Sequence, residues 1–178
     1  MTKKSVTFLS YILAILVSGH VLTAPAYASE QKLLLKAKDW DAYSDTDNRG
    51  NKVCYMISIP ENTTTSQKIS SRGDTALIVT HRPNYAIEGQ VEVTLGFAGD
   101  EDKGATISVD GKAQTRLFIK DKTAWSYDDR DDKKLVDMMK KGSTLLFTST
   151  SRRGTVLKDT YSLSGFTAAY NSITKACS

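Results

Sequence analysis

Residues 105–119 read ATISVDGKAQTRLFI, and this stretch gives the clearest indication of the fold. Two runs suited to strands, residues 105–109 and 113–119, flank the dipeptide Asp110-Gly111. Asp-Gly suits the two central positions of a tight type I′ turn, because both residues there take positive φ. The stretch therefore predicts an antiparallel β-hairpin.

Outside this hairpin, short runs of alternating apolar and polar residues predict further strands, since a period of two is typical of half-buried strands. The predicted strands cover residues 40–43, 53–59, 76–80, 91–97, 124–127, 144–149 and 155–163. The last two form a second hairpin, residues 124–127 form a short edge strand, and residues 61–74 form a long polar surface loop.

Two segments have helical character. Residues 128–141 begin with aspartates and end with Lys140 and Lys141, which complements the helix macrodipole. Residues 165–176 place Phe166 and Tyr170 on one apolar stripe. The sequence thus predicts a mainly β, single-domain β-sandwich or open barrel with two short helices, one of them C-terminal.

The N-terminus has the order of a secretory signal peptide. Lys3 and Lys4 precede an apolar run over residues 6–22, and residues 26–28 read Ala-Tyr-Ala, which predicts cleavage after Ala28. An uncleaved anchor is the alternative, but the run is short for a bilayer span. The expected organisation is a signal peptide (1–28), a flexible lead-in (29–38) and a β domain (39–178), with no integral membrane span after cleavage. The expected location is the periplasm, with association to the outer membrane or secretion as further possibilities.

The charge of the mature chain is close to neutral. The full chain has 24 basic and 20 acidic residues, and residues 1–28 contribute two lysines and no acid. A net charge of +4 in the full chain therefore falls to +2, which gives no global reason to expect nucleic-acid binding.

Two cysteines, Cys54 and Cys177, remain after cleavage. An even count in an oxidising compartment favours a structural disulfide bond between them. Two free thiols are the alternative. A redox-active pair is disfavoured, because the chain has no C-x-x-C motif and no histidine beside either cysteine.

Few residues offer catalytic or metal-binding chemistry. His81 is the only histidine beyond the predicted signal peptide, and it is interpreted either as a polar cap at a strand end or as a catalytic base. The acidic clusters at residues 100–102 and 128–132 lack the spacing of a calcium loop, so a solvated loop and a charged helix start explain them. No catalytic residue, metal or cofactor is predicted.

Five residues are candidates for a ligand or partner surface. Arg152 and Arg153 lie at a predicted hairpin tip, where they could meet an anion or remain solvated. Trp125 and Tyr127 could form an exposed aromatic surface or anchor the core. Arg82 follows His81 at a strand end and is the fifth candidate.

Several blocks of the sequence carry a family resemblance. They include Trp40-x-x-Tyr43, residues 52–55 (Lys-Val-Cys-Tyr), residues 80–83 (Thr-His-Arg-Pro) and residues 138–142 (Met-Met-Lys-Lys-Gly). The most specific block is Tyr-Ser-Leu-Ser-Gly-Phe-Thr-Ala-Ala at residues 161–169. In this order the blocks resemble the invasion-associated locus B family of exported alphaproteobacterial proteins, over about residues 38–177.

The resemblance implies a periplasmic or surface-associated β-sandwich protein, in a family named for members linked to host-cell invasion. It implies no catalytic residue. The first functional hypothesis is a non-enzymatic protein that binds an envelope or host-surface partner and contributes to invasion or to the envelope in general. A small-ligand module for glycans or lipids is the alternative, and a hydrolase using His81 is the third hypothesis.

Overall fold

The structure, a computed structural model, describes residues 31–112 and 114–178. The predicted signal peptide lies outside the described residues. The described residues form eleven strands and two helices: β1 (Lys32–Ala37), β2 (Trp40–Thr46), β3 (Lys52–Ser58), β4 (Asn62–Thr65), β5 (Ala76–Arg82), β6 (Ile87–Thr94), β7 (Ala105–Val109), β8 (Gln114–Lys120), β9 (Thr123–Trp125), α1 (Asp129–Met139), β10 (Thr144–Thr150), β11 (Val156–Ser162) and α2 (Phe166–Cys177). A 3₁₀ turn, Pro83–Tyr85, joins β5 to β6.

All strands belong to one antiparallel sheet in the order β1-β2-β3-β5-β6-β9-β8-β7-β10-β11-β4. The first part of β8 pairs with β7, and its last three residues pair with β9, so β8 joins the two halves of the sheet. The sheet does not close on itself. The prediction of a mainly β fold with two short helices, one of them C-terminal, is confirmed.

Both helices pack against the sheet on its buried face. α2 contacts β1, β2, β3 and β5, and α1 contacts β6. The helices meet at Gly89, where an added Cβ would lie 3.1 Å from Tyr170 Oη and 3.5 Å from Val136 Cγ2. Alternate residues of the strands supply the core beneath them, such as Met56 on β3 and Val79 on β5, both fully buried. Neither of the two described helices packs on the opposite face of these strands.

The hairpin predicted from Asp110-Gly111 is confirmed. β7 pairs with β8, and Asp110 and Gly111 have φ values of 51° and 68°. The Lys112 N–H donates to Val109 O over 3.0 Å, which closes the turn. Asp110 tolerates this left-handed conformation, and its carboxylate also accepts hydrogen bonds from the N–H groups of Ser143 and Thr144.

Three local predictions differ from the structure. Residues 29–38 were predicted as a flexible lead-in, but Lys32–Ala37 form β1, because the apolar side chains of Leu34 and Leu35 pack against the core. The predicted loop at 61–74 contains β4, whose threonines have high β propensity and pair with β11. The strand predicted over 124–127 is not an edge: β9 lies between β6 and β8.

The block at residues 161–169 connects the sheet to α2. The Trp40 indole N–H donates to Ser162 O over 3.0 Å, and the Phe166 ring meets the Trp40 ring edge-on at 4.9 Å. Gly165 has φ 92° and lies against the end of β1, where only glycine fits. This sequence signature therefore maintains the fold. Among the described residues, no helix has the length and apolar character needed to cross a membrane.

Candidate functional site

Cys54 and Cys177 form a disulfide bond, as predicted. Cys54 is fully buried on β3, and α2 carries Cys177 back to it, with 6.0 Å between the two Cα atoms. The bridge closes a sequence separation of 123 residues and fixes the last turn of α2 to the sheet. The disulfide bond therefore stabilises the fold.

His81 is held in a structural network beside this bridge. Its Nδ1 accepts a 2.8 Å hydrogen bond from the Gly89 N–H, and its Nε2 lies 3.0 Å from Thr174 Oγ1. The Thr174 hydroxyl donates to Tyr170 O, so it accepts from Nε2–H. Burial lowers the pKa of His81. The imidazole is therefore neutral, and both of its nitrogens are occupied.

The acidic clusters also have structural partners. Asp128 is the N-cap of α1 and accepts from the N–H groups of Arg130 and Asp131. Glu101 accepts from the Asp121 N–H and pairs with Lys120 and Arg152. In the part of the chain that the structure describes, no group of three histidine, cysteine or acidic residues has the arrangement of a metal site.

Three of the five predicted surface residues lie together in one open groove of about 690 Å³. Arg82, Trp125 and Tyr127 line it, and Phe118 completes its aromatic wall. We call this depression the aromatic groove. Its other lining residues come from β6, β8, the start of α1 and the residues just before β6 and α1: Ala86, Ile87, Glu88, Gln90, Lys120, Ser126, Asp128, Asp129 and Asp132.

Strand register creates the aromatic wall. Phe118 on β8 and Glu92 on β6 are the two cross-strand neighbours of Trp125, so all three share the sheet face without helices. The Phe118 and Tyr127 rings approach at 5.6 Å in a tilted arrangement. Tyr127 is 59% exposed and Phe118 is 37% exposed, which is unusual for side chains that could bury this much apolar area.

Polar groups border the aromatic wall. Arg82 Nη1 donates to Gln90 Oε1 over 2.7 Å, which positions the guanidinium at one end of the groove. Asp132 on α1 accepts a hydrogen bond from the Val91 N–H over 2.8 Å. Val91 lies one residue before the part of β6 that pairs with β9, so this bond anchors α1 beside the groove. Burial raises the pKa of Asp132 and that of Glu92.

The groove has more acidic than basic lining residues. Arg82 and Lys120 are basic, whereas Glu88, Asp128, Asp129 and Asp132 are acidic. An aromatic surface with surplus negative charge suits a ligand that carries positive charge and apolar groups, because a cation is attracted both by carboxylates and by the faces of aromatic rings.

Arg152 and Arg153 lie at the tip of the β10–β11 hairpin, as predicted, but away from the aromatic groove. Arg152 Nη2 pairs with Glu101 Oε1 at 3.2 Å. The residue before it, Ser151, forms an isolated antiparallel β-bridge with Gly99. Both arginines line a separate pocket. The structure therefore divides the five predicted residues between two places.

Sequence reasoning missed Phe118. The signal was present, because β8 alternates in exposure and Phe118 falls on the exposed side with Gln114, Arg116 and Lys120. An exposed aromatic residue marks a candidate interaction surface when it is contiguous with others, as Phe118 is with Tyr127.

Comparison with known proteins gives the relationship of the chain. No curated protein and no solved structure matches it. The family model of the invasion associated locus B (IalB) protein matches residues 40–174, which include almost all of the sheet and most of α2. The chain therefore belongs to the invasion associated locus B family.

Proposed function

We propose that the protein is an exported, non-enzymatic protein of the bacterial envelope that binds a protein partner through the aromatic groove. The observation that carries the proposal is the exposure of Phe118 and Tyr127 beside Trp125 on a sheet face without helices. Exposed aromatic residues clustered within a polar border are typical of interface hot spots.

The proposed occupant is an extended polypeptide segment with basic and apolar side chains. The carboxylates of Glu88 and Asp129 line the groove and attract basic groups, whereas the Asp128 carboxylate is paired with Arg130. The aromatic wall contributes apolar area and cation–π contacts. A groove open to solvent accepts a peptide segment more readily than an enclosed cavity would.

Export is supported by the disulfide bond between Cys54 and Cys177, since such bonds persist mainly outside the cytoplasm. Family membership and the secretory pattern at residues 1–28 point the same way. The partner of an exported protein belongs either to the bacterial envelope or to a host surface. If the partner belongs to the host surface, the protein contributes to host-cell invasion.

A non-enzymatic role is supported by the state of His81. A general base needs a free nitrogen within reach of a substrate proton. Both nitrogens of His81 are hydrogen-bonded, to Gly89 and to Thr174, and only 4% of the residue is exposed.

A small-ligand module for glycans is the second candidate. The same groove favours it, because aromatic rings beside carboxylate and amide groups, such as Trp125 near Gln90, are suited to sugar rings and their hydroxyls. The two candidates differ in what occupies the groove in the cell.

The experiment is photo-crosslinking in living cells of the source bacterium. A photoreactive phenylalanine analogue replaces Tyr127 in the full chain. The matched control places the analogue at Leu33, which is 44% exposed on the edge strand β1. Irradiated cells are analysed by gel electrophoresis and mass spectrometry of any adduct.

A discrete protein adduct at position 127, absent at position 33, with the linked partner peptide carrying lysine or arginine, is the expected result. An adduct with a glycan or another small molecule at position 127 favours the second candidate. If positions 127 and 33 give the same adducts, or position 127 gives none, the groove is not the binding site.

A further inference from the structure

A second concave site lies at the other end of the sheet and has the opposite charge. It is a pocket of about 530 Å³ between the loop of residues 66–75 and the tip of the β10–β11 hairpin. The residues that line this basic pocket are Gln67, Lys68, Ile69, Ser70, Ser71, Arg72, Phe97, Ala98, Ser151, Arg152, Arg153, Thr155 and Leu157. Four of them are basic and none is acidic.

Arg72 fixes one wall of the basic pocket. Its Nη1 and Nη2 bind Asp159 Oδ1 and Oδ2 at 2.6 and 2.7 Å, and its Nε donates to Leu95 O at 2.8 Å. Asp159 is fully buried. Next to it, the Gly73 N–H donates to Gly96 O over 2.9 Å. The end of the loop is thus tied to the sheet, and the charge of Arg72 is neutralised.

The opposite wall is fixed as well. The Ser151 N–H donates to Thr155 O over 2.8 Å, and the Arg152 N–H donates to Ala98 O over 3.0 Å. Ser66 joins the two walls, because its hydroxyl accepts from the Val156 N–H and its own N–H donates to Val156 O, both over 2.9 Å. The pocket is therefore formed before any ligand binds.

Lys68 and Arg153 carry the two positive charges of the pocket that no described acidic residue balances. Within residues 31–112 and 114–178, neither of them forms an ion pair, whereas Arg152 is paired with Glu101 and Arg72 with Asp159. The hydroxyls of Ser70, Ser71 and Thr155 lie in the same lining. Two unpaired cations with several hydroxyl donors are the groups that bind a phosphate.

The apolar residues of the lining indicate a second property of the ligand. Phe97 and Leu157 belong to the wall, and Ile69 is 37% exposed at its border. This composition fits a phosphate attached to an apolar group. We propose that the basic pocket binds a phosphate ester, with the phosphate at Lys68 and Arg153 and the attached group on Phe97 and Ile69. The two sources of that chemistry are a phospholipid headgroup and a soluble phosphate ester.

The test measures binding of the purified mature protein to vesicles of phosphatidylglycerol and of phosphatidylcholine, with sn-glycerol 3-phosphate as a soluble competitor. The test variant is the double substitution Lys68→Gln, Arg153→Gln. The matched control is Arg116→Gln, Lys158→Gln, which removes the same charge from exposed positions outside the pocket. All four side chains lie at the surface, so both variants are expected to fold.

The proposal expects the test variant to bind about tenfold or more weakly than the control, because two charge-assisted contacts are lost. Binding to phosphatidylglycerol vesicles that resists competition identifies a lipid headgroup. Direct binding of sn-glycerol 3-phosphate, with little binding to vesicles, identifies a soluble ester. Equal losses in both variants mean general charge attraction and overturn the proposal, and so does the absence of binding to either probe.

Discussion

Arg72 and Asp159 form a two-point ion pair in the interior, with Asp159 fully buried and 11% of the Arg72 side chain exposed. The pair ties the loop of residues 66–75 to β11, and the Thr63 hydroxyl donates to the same carboxylate over 2.6 Å. Removal of one partner leaves the other charge buried without compensation.

We predict that Asp159→Ala lowers the free energy of unfolding by about 3–5 kcal/mol, the usual cost of breaking a buried ion pair. Urea denaturation measures it. The control is Asp137→Ala, which removes an exposed pair with Lys133 and should change stability by less than about 1 kcal/mol. Similar losses in the two variants would contradict a stabilising role for Arg72 and Asp159.

Gly165 gives the second prediction. A Cβ at this position would overlap Ala37 O, and the residue has φ 92°. Gly165→Ala should therefore separate β1 from the start of α2. The control is Gly50→Ala, at φ 79° with nothing near its Cβ position, which should cost only about 1–2 kcal/mol for the left-handed backbone.

The comparison uses the urea midpoints of the two alanine variants and their yields of folded protein. Gly165→Ala should be clearly less stable than Gly50→Ala, or give no folded protein. Equal midpoints would show that β1 is not fixed against Gly165.

His81 predicts a pH dependence of stability. Burial lowers its pKa below the ordinary 6.5; Glu88 on β6 opposes this shift, and Lys140, which directly follows α1, acts in the same direction as burial. The neutral imidazole contributes its full stabilisation of the fold above pH 6.5. This contribution declines as the pH falls below 6.5, since the unfolded chain then binds the proton more readily than the folded chain. Protonation of Nδ1 also removes the acceptor of the Gly89 N–H.

The measurement is the urea midpoint of wild type and His81→Asn above and below pH 6.5. Asn keeps an acceptor for Gly89 but does not titrate in this range. The wild type should lose more stability on acidification than the variant. Parallel pH profiles would contradict the assigned protonation state.

The disulfide bond gives the fourth prediction. A bridge over 123 residues stabilises by at most about 4–5 kcal/mol through the entropy of the unfolded chain. Reduction, or the double substitution Cys54→Ala, Cys177→Ala, should lower the urea midpoint.

Mass spectrometry of protein from a periplasmic extract should show a chain that begins at Ser29 and gains alkyl groups only after reduction. Free thiols in that extract, or a retained Met1, would contradict export.

The sequence predicted the elements whose signals are local. Asp110-Gly111 indicated its hairpin, and the charge order of residues 128–141 indicated α1. β1 was missed because its three consecutive leucines, flanked by Lys32 and Lys36, lack the alternation of a half-buried strand, so the core contacts of Leu34 and Leu35 were not visible in the pattern. The central position of β9 was missed because strand order depends on pairings between distant residues.

The candidate sites show the same limit. Trp125 and Tyr127 were recognisable by residue type, but their contact with Phe118 and Arg82 depends on the register of β6, β8 and β9. Arg152 and Arg153 were recognisable as a basic hairpin tip. Lys68 joins them because the Arg72 ion pair and the two hydrogen bonds between Ser66 and Val156 bring the loop of residues 66–75 to that tip.

The most direct test of partner binding through the aromatic groove is the yield of the protein adduct formed from position 127 when Trp125 is also replaced. Trp125→Ala should lower that yield about tenfold or more, because a hot-spot aromatic residue contributes about 2 kcal/mol or more to binding. Arg116→Ala, on the same strand as Phe118 but outside the groove, should leave the yield unchanged. An adduct yield that does not change in Trp125→Ala would contradict the account.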